Sequence, residues 1–235
     1  MISGLQKMTL LDFPGKVACT VFLQRCNYRC PFCHNSDLLD TSGPEGMTDE
    51  ALLAFLKKRQ GLLDGVAITG GEPTLYPDLE PLLQQIRDLG YAIKLDTNGT
   101  RPEVLKRLAE KGLVDYVAMD LKNAPALYAQ TAGVPNPLLE NVETSIRFLI
   151  NSDLDFEFRT TVVDGFHDEA TISGIGQWLQ KLCPEKKAPR YFIQSYVDRD
   201  SVLVAGLQAP AKETLNTFVR AAAPYFGSVQ LRGVD

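Results

Sequence analysis

Short apolar runs alternate with longer amphipathic stretches along most of the chain. The apolar runs have the length and the Val, Ile, Tyr and Phe content of buried strands, and several end directly in Gly, Asp or Asn. In the stretches between them, apolar residues recur at helical spacing. The pattern predicts seven strands, at 17–23, 65–69, 91–95, 116–119, 156–163, 190–195 and 228–232, and six helices, which begin near residues 48, 77, 102, 138, 169 and 212.

This alternation favours parallel βαβ units with right-handed crossovers and helices outside the sheet. Six βα units and a terminal strand fall short of the eight that close a barrel, so we expect an α/β fold with an incomplete parallel (β/α)6-type barrel. No repeat, low-complexity tract or linker interrupts the pattern. A single domain over residues 1–235 is therefore predicted.

Composition narrows the functional class. The 235 residues are 45% hydrophobic and 23% charged, which is typical of a globular protein. The net charge of −5 gives no indication of a positively charged surface for binding nucleic acid. No apolar run reaches the roughly 18 residues needed to span a bilayer, and no cleavable leader is evident. We expect a cytoplasmic protein with neither nucleic-acid nor membrane partners.

Polar clusters occupy the points where predicted strands end. Examples are Gly70–Glu72, Asp96–Asn98 and Asp120–Lys122, together with the loop after the first strand. In a parallel barrel the carboxyl ends of the strands share one face, where active sites gather. The sequence therefore predicts a site at that face.

Three of the five cysteines, Cys26, Cys30 and Cys33, lie in one loop at spacing C-x3-C-x2-C. A structural zinc site would need a fourth ligand, and inert buried thiols rarely show such spacing. Cys19 lies in a strand flanked by apolar residues, and Cys183 precedes Pro184; both are expected to be buried. An iron–sulfur cluster fits better than zinc, because three thiolates would leave one iron open for a substrate or cofactor.

The loop motif C-x3-C-x-aromatic-C, with Phe32 as the aromatic residue, resembles that of the radical S-adenosylmethionine enzymes, and Gly70-Gly71-Glu72-Pro73 strengthens the resemblance. The resemblance implies a [4Fe–4S] cluster on Cys26, Cys30 and Cys33. It also implies reductive cleavage of S-adenosylmethionine to methionine and a 5′-deoxyadenosyl radical. Taken alone, the glycine-rich segment has a simpler interpretation as an ordinary turn.

Further motifs are similar to those of the glycyl-radical-enzyme activases. They are Asp12–Lys16, His34-Asn35, Asp96–Gly99 and Asp120–Lys122, all within the first ~125 residues. Within this group the similarity is greatest to the activases of anaerobic ribonucleoside-triphosphate reductase. The resemblance implies such a reductase as protein substrate and a flavodoxin- or ferredoxin-like reductant.

The resemblance also implies roles for single residues around the cofactor. Phe32 and His34 would lie along the adenine, and the glycine-rich strand end, Gly70–Glu72, would present its backbone to the methionyl amino group. Asn98 belongs to the same predicted cofactor-binding set.

Charged residues complete the predicted site. Asp96 and Asp120 would hold a monovalent cation, Lys122 would lie near the methionyl carboxylate, and Arg159 would lie near the cofactor. The alternatives are a turn cap for Asp96 and a plain ion pair for Asp120 with Lys122. His167 is expected in a loop and Trp178 in the core.

The chain departs from the group's pattern at Phe13, Lys16, Arg25 and Ser195–Val197, which argues against a pyruvate formate-lyase activase. Absence of cysteine between Asn35 and Gly70 argues against a second cluster. Three alternatives stay open: activation of another glycyl-radical enzyme, radical chemistry on a small molecule, and a non-catalytic iron–sulfur or zinc protein.

Overall fold

The structure is a computed structural model that describes residues 1–39, 46–199 and 201–234. In these residues eight strands form one sheet and are hydrogen-bonded in chain order. β1 is antiparallel to β2, whereas the pairs β2–β3, β3–β4, β6–β7 and β7–β8 are parallel. The strands are β1 Ile2–Thr9, β2 Ala18–Leu23, β3 Gly65–Gly70, β4 Ala92–Thr97, β5 Tyr116–Asp120, β6 Asp155–Val162, β7 Ala188–Ser195 and β8 Phe226–Arg232.

The helices follow the strands as the sequence predicts. No helix in the described ranges is long and apolar enough to cross a membrane. The helices are α1 Asp49–Lys57, α2 Leu79–Asp88, α3 Pro102–Glu110, α4 Tyr128–Ala132, α5 Leu139–Asn151, α6 Glu169–Leu182 and α7 Lys212–Ala222.

The predicted α/β fold with an open parallel sheet is confirmed. Among the described residues β1 pairs only with β2 and β8 only with β7, so the sheet is not closed. All seven predicted strands and all six predicted helices are present. Two elements escaped prediction, β1 and α4, because β1 lacks regular apolar alternation and α4 has only five residues.

By its contacts the chain divides into two compact units. The first contains residues 1–27, 37–97 and 103–118. Its core is built from the apolar faces of β2–β4 and of the helices between them. The Thr48 hydroxyl caps α1 by accepting a hydrogen bond from Ala51 N at 3.2 Å, and Leu52 and Leu56 are fully buried. Burial of each leucine contributes roughly 2 kcal/mol, which anchors the helix that follows the cysteine loop.

The second unit contains residues 28–36, 98–102 and 119–235. Phe158, Tyr191 and Phe218 are completely buried or nearly so in its core, and Tyr191 stacks on Phe226 with ring centroids 4.3 Å apart. A capping box at Asp168 begins α6. The single domain over residues 1–235 stays a prediction.

Candidate active site

None of the three loop cysteines forms a disulfide within the described part of the chain. Cys26 lies near the end of segment 1–27 of the first unit, and Cys30 and Cys33 lie in segment 28–36 of the second unit. Cys26 and Cys33 are half-buried, whereas Cys30 is buried. Cys33 N donates to Cys30 O at 3.0 Å, which folds the loop into a tight turn between these two ligand candidates. That all three share one cluster stays a prediction.

Burial sets the protonation of Cys30 and Cys33. It raises the pKa of Cys30 to about 11, although the nearby Lys122 ammonium opposes the shift, and it raises the pKa of Cys33 as well. Thiols of this kind are poor free nucleophiles but good ligands once a metal displaces the proton. The donor set therefore fits a metal cluster better than thiol catalysis.

In the first unit the glycine-rich strand end of β3 packs on the backbone that leads into Cys26. Gly71 N donates to Leu23 O at 2.9 Å, and Glu72 N donates to Arg25 O at 2.7 Å. A Cβ on Gly71 would overlap the Arg25 carbonyl oxygen and lie 3.2 Å from the Cys26 Cβ. Only glycine allows this close approach, so Gly71 fixes the position of the loop at its first cysteine.

Glu72 is buried at this strand end with a satisfied side chain. Its Oε1 accepts from Thr74 N at 3.1 Å, from Thr74 Oγ1 at 2.5 Å and from Thr97 Oγ1 at 2.8 Å. These bonds cap the 3-10 turn Pro73–Leu75 and tie it to the end of β4. Glu72 thus has a clear structural role, and its predicted contact with the cofactor stays untested.

The end of β4 and the turn after it carry the next predicted residues. Asp96, in the first unit, pairs with the buried Lys94 ammonium. Asn98, in the second unit, accepts from Thr100 N at 3.0 Å and from Thr100 Oγ1 at 2.7 Å. Asn98 is therefore the residue that closes an Asx turn at this strand end.

In the second unit, Asp120, Lys122 and Arg159 form an ion-pair group. Lys122 Nζ lies 3.0 Å from Asp120 Oδ2, and Arg159 Nε lies 2.9 Å from Asp120 Oδ1. Burial alone would raise the pKa of Asp120, but Arg159 and Lys122 hold it well below its usual range, and Asp120 raises that of Lys122. The plain ion pair of Asp120 with Lys122, which was the alternative to a cofactor role, is present, and the cofactor role itself stays a prediction. With two cations on one carboxylate the group carries a net positive charge suited to an anion.

Aromatic rings surround the loop residues of the second unit. The Phe32 ring meets Phe166 edge-on at 5.8 Å and His167 at 6.1 Å between centroids. The His34 ring lies 5.6 Å from that of Tyr196 at an interplanar angle of 31°. His34 Nε2 is buried without a hydrogen-bond partner among the described residues, and burial lowers the pKa of this ring. An unsatisfied buried nitrogen of this kind is a candidate contact for a polar ligand.

The segment after β7 braces the same loop. Ser201 Oγ donates to His34 O at 2.7 Å, and Val204 N donates to Pro31 O at 3.0 Å. These bonds join residues more than 160 positions apart, so they fix the loop in a way that no local pattern predicts.

Sequence reasoning missed two residues of this region. His167 lies in a loop as expected, but it is also buried: its Nδ1 accepts from Val163 N at 3.2 Å, and its Nε2 contacts Lys122 O at 2.9 Å. Tyr128 is fully buried near Lys122 and Cys30. No motif marks either residue. By contrast, Trp178 is buried as expected, and so are Cys19 and Cys183.

An open parallel α/β sheet whose first parallel strand leads into a loop with three cysteines is compatible with an iron–sulfur site at the carboxyl ends of the strands. Residues 20–172 match the sequence profile described as the radical SAM superfamily, and the chain belongs to that family. It is a radical S-adenosylmethionine enzyme, and its cofactors are a [4Fe–4S] cluster and S-adenosylmethionine.

Several relatives and solved structures are similar to the chain. A Methanocaldococcus jannaschii protein named provisionally as a glycyl-radical enzyme activating enzyme is 29% identical, over 100% of this chain and 97% of its own. A Thermococcus kodakarensis protein named provisionally as a GTP 3′,8-cyclase is also 29% identical, over 86% of this chain and 69% of its own. SuiB of Streptococcus suis bound to S-adenosylmethionine has a TM-score of 0.68 at 16% identity, over 91% of this chain and 52% of its own.

The chain thus spans nearly the full length of the first relative and about half the length of the SuiB structure. The structural similarity, at 16% identity, shows the shared fold alone.

Proposed function

We propose that the protein is a glycyl-radical-enzyme activase that acts on an anaerobic ribonucleoside-triphosphate reductase. The observation that carries the proposal is the end-to-end similarity to a protein named provisionally as such an activating enzyme. The motif pattern of the sequence favours the ribonucleotide reductase as the particular partner. A flavodoxin- or ferredoxin-like protein would supply the electron, and a cytoplasmic location stays a prediction.

In this proposal Cys26, Cys30 and Cys33 hold the cluster. When bound, the cluster and S-adenosylmethionine supply the radical that takes a hydrogen atom from a backbone glycine of the partner. Gly70 and Gly71 offer backbone to the methionyl amino group, and their missing Cβ atoms let this strand end pack against the backbone of Leu23 and Arg25. The chain's own task is to bind and orient the cofactors, and no side chain need act as a general base.

The charged and aromatic residues orient the rest of the cofactor. Lys122 and Arg159 face the methionyl carboxylate, since their group with Asp120 carries a net positive charge. Phe32 and His34 flank the adenine, whose ring atoms would satisfy His34 Nε2. Glu72 and Asn98 support these contacts through the strand-end turns that they close.

The monovalent cation has weaker support than the rest of the proposed site. Asp96 already pairs with Lys94, and Asp120 already pairs with Lys122 and Arg159. A cation at either carboxylate would have to displace an ammonium or guanidinium group or be repelled by its positive charge. We therefore expect cofactor binding without a strong requirement for added K⁺ or Na⁺.

A second candidate is radical chemistry on a small molecule, which the similarity to a provisional GTP 3′,8-cyclase favours. That relative extends further beyond the aligned region than the activase does, because the chain covers 69% of it compared with 97%. Activation of another glycyl-radical enzyme, such as pyruvate formate-lyase, is an alternative that uses the same chemistry and differs only in the protein substrate.

The test reconstitutes the protein anaerobically with iron and sulfide, reduces it with dithionite and adds S-adenosylmethionine. Purified reductase, pyruvate formate-lyase or GTP is then added in separate reactions. We expect 5′-deoxyadenosine, and a glycyl-radical signal by electron paramagnetic resonance only with the reductase. Cys30→Ala should abolish both, and Cys183→Ala, a buried cysteine outside the loop, should preserve both. A signal on the lyase, or consumption of GTP without any protein radical, would refute the proposed partner.

A further inference from the structure

The turn that follows β6 holds the buried ring of His167 in one orientation. Its Nδ1 accepts from Val163 N at 3.2 Å, and its own backbone N–H donates to Val163 O at 3.1 Å. A ring nitrogen that accepts from a backbone N–H carries no hydrogen, so the ring is neutral and its hydrogen is on Nε2. The Phe32 ring packs against the imidazole at 6.1 Å between centroids and an interplanar angle of 68°. The position and the tautomer of His167 are therefore both fixed.

The remaining ring hydrogen of His167 is donated to the backbone of Lys122. The distance from Nε2 to Lys122 O is 2.9 Å. Because β5 ends at Asp120, Lys122 lies just past the strand, where this bond holds its carbonyl group. The imidazole thus connects the turn after β6 to the residue that carries the ammonium group of the proposed site.

The residues on either side of Lys122 are held by other groups. Leu121 O accepts from Thr160 Oγ1 at 2.8 Å, and Asn123 Nδ2 donates to Phe166 O at 2.9 Å. Neither bond involves the imidazole, so both would remain if its Nε2 hydrogen were lost. Such a loss would release the Lys122 carbonyl while the segment around it stays in place.

The position of this carbonyl matters because it anchors the Lys122 side chain. The ammonium lies 3.0 Å from Asp120 Oδ2, and Arg159 Nε lies 2.9 Å from the other oxygen of the same carboxylate. An anion that binds to this group must meet the ammonium at hydrogen-bonding distance, and such charged hydrogen bonds depend strongly on distance and angle. A displaced backbone at Lys122 would therefore weaken anion binding without removing any charge.

We propose that His167 is a positioning residue for S-adenosylmethionine, and that its Nε2–H holds the Lys122 backbone where the ammonium meets the methionyl carboxylate. The inference rests on the proposed function, in which Lys122 faces that carboxylate. His167 acts through Lys122 and needs no contact of its own with the cofactor.

Two substitutions separate the two hydrogen bonds of the imidazole. In His167→Asn an amide oxygen can take the place of Nδ1 and accept from Val163 N, but the side chain is too short to reach Lys122 O. In His167→Gln an amide nitrogen can take the place of Nε2 and donate to Lys122 O, whereas Val163 N loses its acceptor. Each variant loses one buried hydrogen bond and the ring contact with Phe32, so the two should be similarly destabilised.

The experiment measures binding of S-adenosylmethionine by anaerobic equilibrium dialysis, with reconstituted wild type and both variants at equal iron content. The cluster is kept oxidised so that the cofactor is not cleaved. We expect a wild-type Kd for His167→Gln and a roughly fivefold higher Kd for His167→Asn. Equal Kd values for the two variants would overturn the inference. Urea denaturation supplies the control, and an affinity difference that only followed a difference in stability would also overturn it.

A double-mutant cycle tests whether the effect passes through the ammonium group. Lys122→Met should weaken binding, and adding His167→Asn to that chain should weaken it no further. A further fivefold loss would overturn the inference. An unchanged Kd in Lys122→Met alone would instead refute the proposed role of Lys122, which is a failure of the proposed function.

The tautomer can be tested without the cluster. The chain has two histidines, so labelling with ¹⁵N-histidine gives two ring spectra by nuclear magnetic resonance, and His167→Gln removes one of them. Above neutral pH we expect the His167 ring to be neutral, with its hydrogen on Nε2. A hydrogen on Nδ1 would overturn the inference, because Nε2 could then not donate to Lys122 O.

Discussion

The contact between Gly71 and the backbone before Cys26 makes a quantitative prediction. In Gly71→Ala the new Cβ would overlap the Arg25 carbonyl oxygen and lie 2.7 Å from its carbonyl carbon. Retreat of that carbonyl is opposed from two sides, because Arg25 O accepts from Glu72 N at 2.7 Å and Arg25 N donates to Leu38 O at 2.6 Å. The clash is with backbone, so no flexible side chain can relieve it.

We expect Gly71→Ala to lower the free energy of unfolding by about 3 kcal/mol, from overpacking and the loss of one backbone hydrogen bond. Urea denaturation of the protein without cluster measures this directly. Gly4→Ala is the matched control, because the nearest atoms to a Cβ there belong to the Phe22 side chain, at an ordinary 3.6 Å or more. The control should change stability by less than about 0.5 kcal/mol.

The same variant tests whether the strand end positions the loop. After anaerobic reconstitution we expect less bound iron in Gly71→Ala than in Gly4→Ala, since the carbonyl that must move directly precedes Cys26. If Gly71→Ala matched Gly4→Ala in both stability and iron content, the role assigned to this glycine would be wrong.

Two further predictions concern buried polar groups of the second unit. Arg232→Met removes the guanidinium that lies 2.5 Å from the fully buried Glu157 and over the Phe192 ring, and should lower the free energy of unfolding by about 3 kcal/mol in urea denaturation. Adding Glu157→Met to the same chain should regain most of that loss, because it removes the buried charge left without its partner. If the two changes showed no coupling, the buried pair would be contradicted. His167 accepts from Val163 N, and burial lowers the pKa of its ring from 6.5, so the unfolded chain takes up a proton first as the pH falls. Stability should therefore decline from pH 7 to pH 5, and the decline should be smaller in His167→Gln; equal pH slopes would refute this reading.

Local signals explain why the fold and the cysteine loop are predictable from sequence. β3 ends at Gly70 and β5 at Asp120, and α1 begins after a capping residue, Thr48. Each signal spans only a few residues, so periodicity and turn chemistry suffice. β1 is the exception: three consecutive positions in its middle are exposed, and its pairing with β2 contains register shifts.

Contacts between distant residues explain what the sequence could not reveal. The ring of His34 meets Tyr196, and that of Phe32 meets His167, over more than 130 positions in each case. The pairing of Asp120 with Arg159 was likewise not evident, although both were expected in the site. Such pairs depend on tertiary packing, which neither hydrophobic period nor motif spacing encodes.

Deuterium transfer tests the central claim, that this chain activates a glycyl-radical enzyme, most directly. The anaerobic reductase would be produced with glycine deuterated at the α-carbon and mixed with the reconstituted, reduced protein and S-adenosylmethionine. Our account predicts deuterium in the 5′-deoxyadenosine, in step with a glycyl-radical signal on the reductase. Formation of 5′-deoxyadenosine without deuterium and without that signal would contradict it.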